Sequence, residues 1–332
     1  MNLKIKDEIW ILADDRPGTA SQSIGLAQQI GIPFKIIHLN YSFLAKLPNF
    51  FLTESLLRLK CDSAKNLKSQ NYFPRLIISA GRRSAPIALH LKNKSAQKSK
   101  VIQIMNPNLD FKKFDLVVLP KHDGFLEKDF PTLKTTIGAL TKINDEVVAA
   151  EKERFAPWFS EIEKTKIALL VGGSSKSTKF DKNSAIALAK EVSEIAKNMD
   201  ATLLVLNSRR TGAEISQAIE SNLNCDFRFY DWEKTKNNNP YLAILGVADF
   251  FVITGDSVSM ISECCSTGKP VYVFDEKNIS SPKHRKFHED LFAENFAKIF
   301  SSEILKLENF SSKRLQETKR IALIIRDQIL VD

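Results

Sequence analysis

Residues 166–192, KIALLVGGSSKSTKFDKNSAIALAKEV, carry the pattern that decides the fold. An almost unbroken apolar run at 166–171 is followed by a turn rich in Gly and Ser, and then by apolar residues at helical spacing. Apolar runs without alternation are typical of strands that helices cover on both faces, as in parallel sheets. The same order of strand, turn and helix recurs at 11–31, ILADDRPGTASQSIGLAQQIG. The two stretches predict an α/β protein made of βαβ units.

Ten short apolar runs are predicted as strands, in two series separated by a charged segment at 142–165 that we interpret as the domain connection. The first series is 8–13, 34–39, 75–79, 101–105 and 114–119; the second is 166–171, 201–206, 226–231, 249–253 and 270–274. Apolar positions in 302–330 predict one or two amphipathic helices. We therefore expect two Rossmann-like domains, 1–150 and 160–300, with parallel sheets facing a central cleft and a helix at 310–332 returning to the first.

Composition excludes several classes of protein. The 332 residues include only 12 Gly and 12 Pro, so the chain is neither collagen-like nor wholly disordered. Four Cys are too few for a disulfide scaffold, and no Cys/His spacing predicts a metal site, so we expect no metal and no cofactor. Sparse cysteines favour a reducing compartment, the cytoplasm. The N-terminus does not resemble a signal peptide, and no apolar run is long enough to span a membrane.

The net charge of +9 favours anionic partners such as phosphates or an acidic membrane surface, and we predict no nucleic-acid partner. The Phe-rich stretch 41–59, YSFLAKLPNFFLTESLLRL, is interrupted by Pro48. It is interpreted either as core or as a patch that contacts lipid or a lipid-linked molecule. Peripheral contact with the cytosolic face of a membrane is therefore left open beside a purely cytoplasmic location.

Ligands of open α/β sheets bind beyond the carboxyl ends of the strands, so the residues that follow each strand are the candidates for binding. One such loop combines backbone that can approach a ligand closely with free amide groups, hydroxyls and a cation, a combination suited to a diphosphate. It consists of Gly172, Gly173, Ser174, Ser175 and Lys176. The loop matches neither a Walker A motif nor GxGxxG, and an ordinary strand-to-helix turn is the alternative interpretation.

A second loop, 254–263 (TGDSVSMISE), also follows a predicted strand. Asp256 or Ser257 can cap a helix, whose first amides then point towards a ligand. Glu263 shares a helical face with Ser259 and Met260, and its carboxylate is suited to accept hydrogen bonds from both hydroxyls of a ribose. A capped helix with a solvated Glu is the alternative interpretation.

Two pairs of arginines follow strands in the two halves, and each is suited to bind phosphate or carboxylate. They are Arg82 with Arg83, and Arg209 with Arg210.

Two further positions are candidates for acid–base catalysis. In the first half, Asp14 and Asp15 stand where a nucleotide-binding domain would carry glycines, so a dinucleotide is not expected there. Either carboxylate can serve as a general base on an acceptor hydroxyl, and our candidate is Asp15. The second candidate is His122, which lies beside Asp123 after a predicted strand. A helix cap and a structural histidine are the respective alternatives.

Seven motifs together resemble the mitochondrial fission factor family named for elongated mitochondria in plants. They are LADDRPGTASQSIGLA, SAGRRSAPIAL, PKHD, VGGSSK, SRRTG, NPYLAILGVAD and TGDSVSMISECCSTGKPVYVFD, spread over residues 8 to 295. That family is similar to GT-B glycosyltransferases, and the second half resembles the donor domain of the peptidoglycan N-acetylglucosaminyltransferase. The resemblance implies that Gly172 to Lys176 meet a donor diphosphate, that Glu263 meets the ribose, and that Ser257 to Ser262 line the nucleotide or sugar.

The sequence thus predicts a glycosyltransferase that uses a nucleoside diphosphate sugar as donor, with the first domain on the acceptor side and the acceptor unknown. A sugar-nucleotide epimerase of the same fold is one alternative. The other follows from the resemblance, which implies a non-catalytic adaptor that recruits a dynamin-like protein to a membrane.

Overall fold

The computed structural model describes residues 4–14, 16–49, 54–175, 178–276, 278–310 and 312–331. The chain divides into two compact units, each built on one six-stranded sheet whose strands are all parallel. The first unit is Met1–Lys142 with Gln316–Asp332, and the second is Ile143–Leu315. This is the predicted α/β architecture of two parallel sheets.

The six strands of the first sheet lie in the order β2-β1-β3-β4-β5-β6. The strands are β1 (Ile5–Ala13), β2 (Phe34–His38), β3 (Phe73–Ala80), β4 (Lys100–Ile104), β5 (Leu116–Pro120) and β6 (Leu133–Thr136). The helices are α1 (Pro17–Ile30), α2 (Cys61–Lys68), α3 (Ala85–Lys94) and, from the C-terminal segment, α12 (Glu317–Ile324).

The second unit has the strand order β12-β11-β10-β7-β8-β9. Its strands are β7 (Thr165–Val171), β8 (Ala201–Asn207), β9 (Phe227–Tyr230), β10 (Phe250–Thr254), β11 (Val271–Phe274) and β12 (Lys298–Phe300). Its helices are α4 (Asp145–Arg154), α5 (Ala156–Phe159), α6 (Lys182–Asn198), α7 (Ala213–Glu220), α8 (Trp232–Thr235), α9 (Tyr241–Val247), α10 (Val258–Cys265) and α11 (Pro282–Ala293).

The unbroken apolar runs are explained by burial of both sheet faces. In β1, Trp10 and Leu12 belong to one hydrophobic cluster, whereas Ile9 and Ile11 belong to the cluster on the other side of the sheet. Successive side chains of a strand point to opposite faces, so both sets must be apolar when both faces are covered.

All ten predicted strands are present, with ends displaced by at most three residues. The two strands that the sequence did not predict, β6 and β12, are the shortest or among the shortest, and each lies at an edge of its sheet. Their sequences, LKTT and KIF, are too short and contain too few apolar residues to form a recognisable run.

Two segments differ in extent from the expectation. The two units divide between Lys142 and Ile143, and from Ile143 onward the segment 142–165 belongs to the second unit, where it forms the helices α4 and α5. The tail is helical only from Glu317, through α12 and one wider helical turn at Ile325–Ile329. Before α12, Leu307 is buried in the core of the second unit, and Ile304 and Phe310 pack against that core.

Candidate functional site

The strand order of the second sheet creates a topological switch point between β7 and β10. The chain proceeds from β7 to β8 and β9 on one side, and then returns to place β10 on the other side of β7. In open α/β sheets, ligands bind at such a point, outside the carboxyl ends of the strands. Gly172 and Gly173 directly follow β7, and Gly255 and Asp256 directly follow β10, so two of the predicted loops meet there.

An ion pair joins the loops that follow β8 and β10, the two strands on either side of β7. Arg210 follows β8 and donates from Nη2 to Oδ2 of Asp256 at 2.8 Å. Its Nη1 donates to the carbonyl oxygen of Gly173 at 2.9 Å. The Asp256 side chain is 1% exposed and that of Arg210 is 36% exposed, so the carboxylate is buried while the guanidinium keeps one side in solvent. The pair therefore bridges across the end of β7.

The glycines are required by this bridge. A Cβ atom on Gly172 would collide with the Asp256 carboxylate, and a Cβ on Gly173 would collide with the backbone of Arg210. The amide of Gly172 donates to Thr254 Oγ1 at 2.7 Å, and that of Gly173 donates to Asp256 Oδ2 at 2.9 Å. Both amides are thus occupied, which corrects the expectation that they are free for a diphosphate.

In the rest of the glycine loop, the serine hydroxyls form hydrogen bonds within residues 174–180. Ser174 Oγ accepts a hydrogen bond from the amide of Phe180 at 3.1 Å, and the Ser175 and Thr178 hydroxyls lie 2.7 Å apart. Ser174 and Ser175 are both exposed. Lys176, the predicted cation of this loop, lies outside the described residues. A binding role for the three residues stays a prediction.

Helix α10 begins immediately after the buried carboxylate. Ser257 is its N-cap, and its hydroxyl accepts from the amide of Met260 at 3.5 Å. Ser257, Ser259 and Met260 are half-buried, so the first turn of the helix is accessible at this edge. The N-terminus of a helix carries a partial positive charge, which favours anions.

Glu263 lies on the second turn of α10 and is held by a tyrosine of α9. The phenol of Tyr241 donates to Glu263 Oε2 at 2.6 Å. Burial and the neighbouring Glu263 charge hold the pKa of Tyr241 well above its ordinary value, so the phenol keeps its proton and acts as the donor. The carboxylate is therefore oriented from the helix that precedes β10.

A buried carboxylate–histidine pair adjoins this edge and was missed from the sequence. Asp275 follows β11, and its Oδ2 lies 2.9 Å from Nδ1 of His288 in α11. Burial acts to raise the pKa of Asp275, but the hydrogen bond with His288, the nearby Ser280 hydroxyl and the charges of His288 and Arg285 outweigh it and lower the pKa below its ordinary value. A Cβ on Gly255 would come within 2.6 Å of Ser280 Oγ and 2.8 Å of His288 Cε1, so this cluster packs directly on the loop that carries Asp256.

A second histidine, His284, lies one helical turn before His288 in α11. His284 is half-buried, and its pKa is lowered, first by burial and then by the charge of His288. Asp275 was the available signal: an acidic residue directly after a strand, followed by two histidines in the next helix.

In the first unit, the corresponding switch point lies between β1 and β3. Asp14 follows β1 and forms an ion pair with Arg83, which follows β3. The Arg83 guanidinium also stacks on Tyr41, with 4.5 Å between its central carbon and the ring centroid. Arg82 donates to the carbonyl oxygens of Leu47 and Ala45, at 2.8 and 3.3 Å.

For the two residues predicted for acid–base catalysis, the structure gives only the position of His122. Asp15 lies outside the described residues. His122 is buried on a short 3-10 turn, Lys121–Asp123, directly after β5. Arg209 is exposed, as is its neighbour Arg210, which forms the bridge to Asp256. Catalytic roles for Asp15 and His122 and a binding role for Arg209 stay predictions.

Two kinds of feature are absent from the described residues. They contain no group of three or more His, Cys, Asp or Glu side chains arranged to hold a metal ion. Within the same part of the chain, none of the helices is both long enough and apolar enough to cross a membrane.

Solved structures with this architecture include enzymes that act on nucleotide sugars. The UDP-GlcNAc 2-epimerase of Methanocaldococcus jannaschii, solved with UDP-GlcNAc and UDP, matches with a TM-score of 0.53 and 13% identity over 99% of this chain and 100% of that one. The glycosyltransferase SnogD of Streptomyces nogalater matches with a TM-score of 0.51 and 14% identity over 97% and 94% of the two chains. At this identity the likeness concerns the fold, which is GT-B-like.

Sequence relatives identify the family. An uncharacterised protein of Rickettsia prowazekii is 34% identical, over 96% of this chain and 97% of its own length. The mitochondrial fission protein ELM1 of Arabidopsis thaliana is 27% identical, over 83% of this chain and 69% of its own length. The family model for mitochondrial fission ELM1 matches residues 17–329. With nearly the whole chain matched, this protein belongs to the mitochondrial fission ELM1 family.

Proposed function

We propose that this protein is a GT-B-type glycosyltransferase that binds a nucleoside diphosphate sugar at the carboxyl edge of its second sheet and transfers the sugar to an acceptor. The observation that carries the proposal is the convergence of the Arg210–Asp256 bridge, the glycine loop and the start of α10 at one switch point. Switch points are where doubly wound sheets bind their ligands.

The charges at this edge suit a diphosphate. Because Asp256 is buried and already paired, the accessible side of Arg210 and the first turn of α10 present positive potential to solvent. Lys176 adds a cation in the sequence of the same loop. When the bond between sugar and diphosphate breaks, these groups would stabilise the negative charge that develops on the leaving diphosphate.

Glu263 is proposed to accept hydrogen bonds from the ribose hydroxyls. Its Oε2 already receives the Tyr241 phenol, which fixes the direction of the carboxylate before a ligand arrives. On the acceptor side, we propose Asp15 or His122 as the base that removes the proton of the attacking hydroxyl.

The acceptor proposal includes contact with a membrane surface. Within the segment 41–59, Phe43 is 80% exposed and Leu57 is 64% exposed. Ser42, next to Phe43 in the chain, donates from Oγ to the carbonyl oxygen of Leu57 at 3.4 Å, so the backbone at the two positions is close in space. Exposed apolar side chains on a chain of net charge +9 support a lipid-linked acceptor.

A thermal-shift panel of nucleoside diphosphates and their sugars tests the proposal, because a ligand that binds only the native state raises its stability. We expect at least one nucleotide to give a saturable shift that Glu263→Ala abolishes. Glu194→Ala, which removes an exposed carboxylate of the same unit paired with Lys197, is the matched control and should keep the shift. A flat panel at millimolar ligand would contradict the proposal.

Two alternatives have observations in their favour. Structural likeness to a UDP-GlcNAc 2-epimerase over the full length favours an epimerase, which would convert a nucleotide sugar without any acceptor. Family membership favours a non-catalytic adaptor for a dynamin-like protein. If variants of Glu263 and Arg210 keep cellular function while substitution of Phe43 and Leu57 removes it, the adaptor is the better explanation.

A further inference from the structure

Arg58, in the first unit, is a fully buried arginine with an incomplete set of partners. Its Nη1 donates to Oδ1 of Asn49 at 2.9 Å. Its Nε and Nη2 are buried and have no hydrogen-bond partner among the residues that the structure describes. Buried cations are rarely left without a partner, because an unsatisfied buried donor costs free energy and an uncompensated charge costs more.

The immediate surroundings are cationic rather than anionic. Burial and then the charge of Arg82 lower the pKa of Arg58, while Tyr41 acts in the opposite direction. Among the described residues, neither Arg58 nor Arg82 forms an ion pair. The carboxylate of Asp14 is already paired with Arg83. Two guanidinium groups therefore lie near each other without a described counter-ion, which is an unfavourable arrangement unless an anion joins them.

The location is one where a ligand is expected. Arg82 follows β3, beside the switch point between β1 and β3. Asn49, the partner of Arg58, donates from Nδ2 to the carbonyl oxygens of Arg82 at 3.0 Å and Pro107 at 2.7 Å. Arg58 is thereby tied to the loops at the carboxyl edge of the first sheet, which is the ligand-binding edge of such sheets.

The unpartnered atoms also have the right geometry. Nε and Nη2 form one edge of the planar guanidinium, from which two parallel N–H groups point in the same direction. This fork matches two oxygens of a phosphate or carboxylate group. Asn49 engages only Nη1, so it fixes the plane of the guanidinium and leaves the buried fork without a hydrogen-bond partner among the described residues.

We propose that Arg58, with Arg82 beside it, forms an oxyanion site in the first unit that takes a phosphate or carboxylate group of a ligand. This site lies in a different unit from the nucleotide-sugar site proposed above and does not depend on it. Its natural ligand would be a molecule with an anionic group, such as a phosphorylated or carboxylated acceptor.

The test is the phosphate dependence of the melting temperature of the full chain, at constant ionic strength set with chloride. Since no atom of Arg58 reaches solvent, the anion enters only when the surrounding segment opens, so samples are incubated until the shift is constant. We expect inorganic phosphate to raise the Tm of the wild type saturably. Parallel titrations with acetate show whether a carboxylate occupies the same site.

Three variants identify the site. Arg58→Met should lose the phosphate shift, and without phosphate its Tm should equal or exceed that of the wild type, since an apolar side chain of similar length removes an uncompensated buried charge. Arg58→Lys keeps the charge but not the fork, so it should weaken phosphate binding at least about tenfold; it serves as the test if Arg58→Met does not fold. Arg75→Met, at the other end of β3, is the matched control and should keep the shift.

The outcomes separate this inference from the proposed function. Loss of the shift in the Arg58 variants, with retention in Arg210→Met, supports the site. Loss in Arg210→Met alone would mean that phosphate binds only in the second unit, which would overturn the inference and leave the nucleotide site standing. A wild type that responds to neither phosphate nor acetate, or an Arg58→Met variant that keeps the full shift, would also overturn it.

Discussion

The carboxyl edges of the two sheets carry similar ion pairs, but the pairs connect the strands differently. Each places a buried Asp and an Arg at its switch point as an ion pair. In the first sheet, Asp14 and Arg83 follow the adjacent strands β1 and β3 and meet directly. In the second sheet, Asp256 and Arg210 follow β10 and β8, which lie on opposite sides of β7, so their pair must pass over the end of that strand.

This difference explains why one loop is DDRPG and the other GGSSK. A pair that reaches across a strand leaves no room for side chains beneath it, and Gly172 and Gly173 provide that room. A pair between adjacent strands imposes no such condition. The glycines that resemble a phosphate-binding loop in sequence therefore have a structural reason of their own, and the binding proposal rests on the accessible side of Arg210 and the start of α10.

The largest expected effect comes from disrupting the Arg210–Asp256 bridge through Gly173, which lies beneath it. In Gly173→Ala, the new Cβ collides with the backbone of Arg210, which cannot move as a flexible side-chain end can. We expect a loss of about 3 kcal/mol or more in the free energy of unfolding, measured by urea denaturation. Gly246→Ala, whose Cβ would first meet Val148 Cγ1 at 3.0 Å, should change stability by less than about 1 kcal/mol. Equal effects at the two positions would contradict the bridging account.

The next effect compares the two ion pairs. Arg210→Met and Arg83→Met each leave a buried carboxylate without its cation, and each should cost about 2–3 kcal/mol. The cost is smaller than for a fully buried pair because each arginine is partly exposed. In double-mutant cycles with Asp256→Asn and Asp14→Asn, the second substitution should cost less in the presence of the first. Strict additivity in either unit would show that its pair is not coupled.

A smaller expected effect is a pH dependence of the free energy of unfolding that arises from Lys269. Lys269, in the second unit, donates to the carbonyl oxygens of Leu245, Gly246 and Ala248 at the end of α9. Burial lowers its pKa to about 8 from an ordinary value of 10.5. Between these two values the unfolded chain holds more protons than the folded one, so stability rises with pH over this window.

The measurement is the free energy of unfolding at pH 8 and pH 10 for wild type and Lys269→Met. The wild type should gain about 1–2 kcal/mol relative to the variant over that interval, less than the full shift implies because the amine is partly exposed. Parallel curves for the two proteins would contradict a lowered pKa of Lys269.

The smallest effect concerns the orientation of Glu263. Tyr241→Phe removes one hydrogen bond to the carboxylate and should cost about 1 kcal/mol of stability. If Glu263 binds a ribose, the same variant should also weaken nucleotide binding a few-fold, whereas Glu263→Ala should weaken it much more. An affinity unchanged in both variants would exclude Glu263 from the nucleotide site.

The sequence predicted most of the fold because both sheets are covered on both faces, and such strands leave continuous apolar runs. It did not predict β6 and β12, since strands of four and three residues with one or two apolar side chains leave no such run. In the site, it located the strand-end loops but not their contacts. Arg210 and Asp256 are 46 residues apart, and Asp275 and His288 are 13 apart, so only the folded chain brings each pair together.

Hydrogen exchange with and without a nucleoside diphosphate tests the central claim most directly, because it reports which backbone amides a ligand protects. At saturating UDP or another nucleotide that shifts Tm, we predict added protection at 172–175 and 255–263. No change is expected at the Asp14 and Arg83 loops of the first unit. Protection confined to the first unit, or none anywhere at millimolar nucleotide, would contradict a nucleotide site at the carboxyl edge of the second sheet.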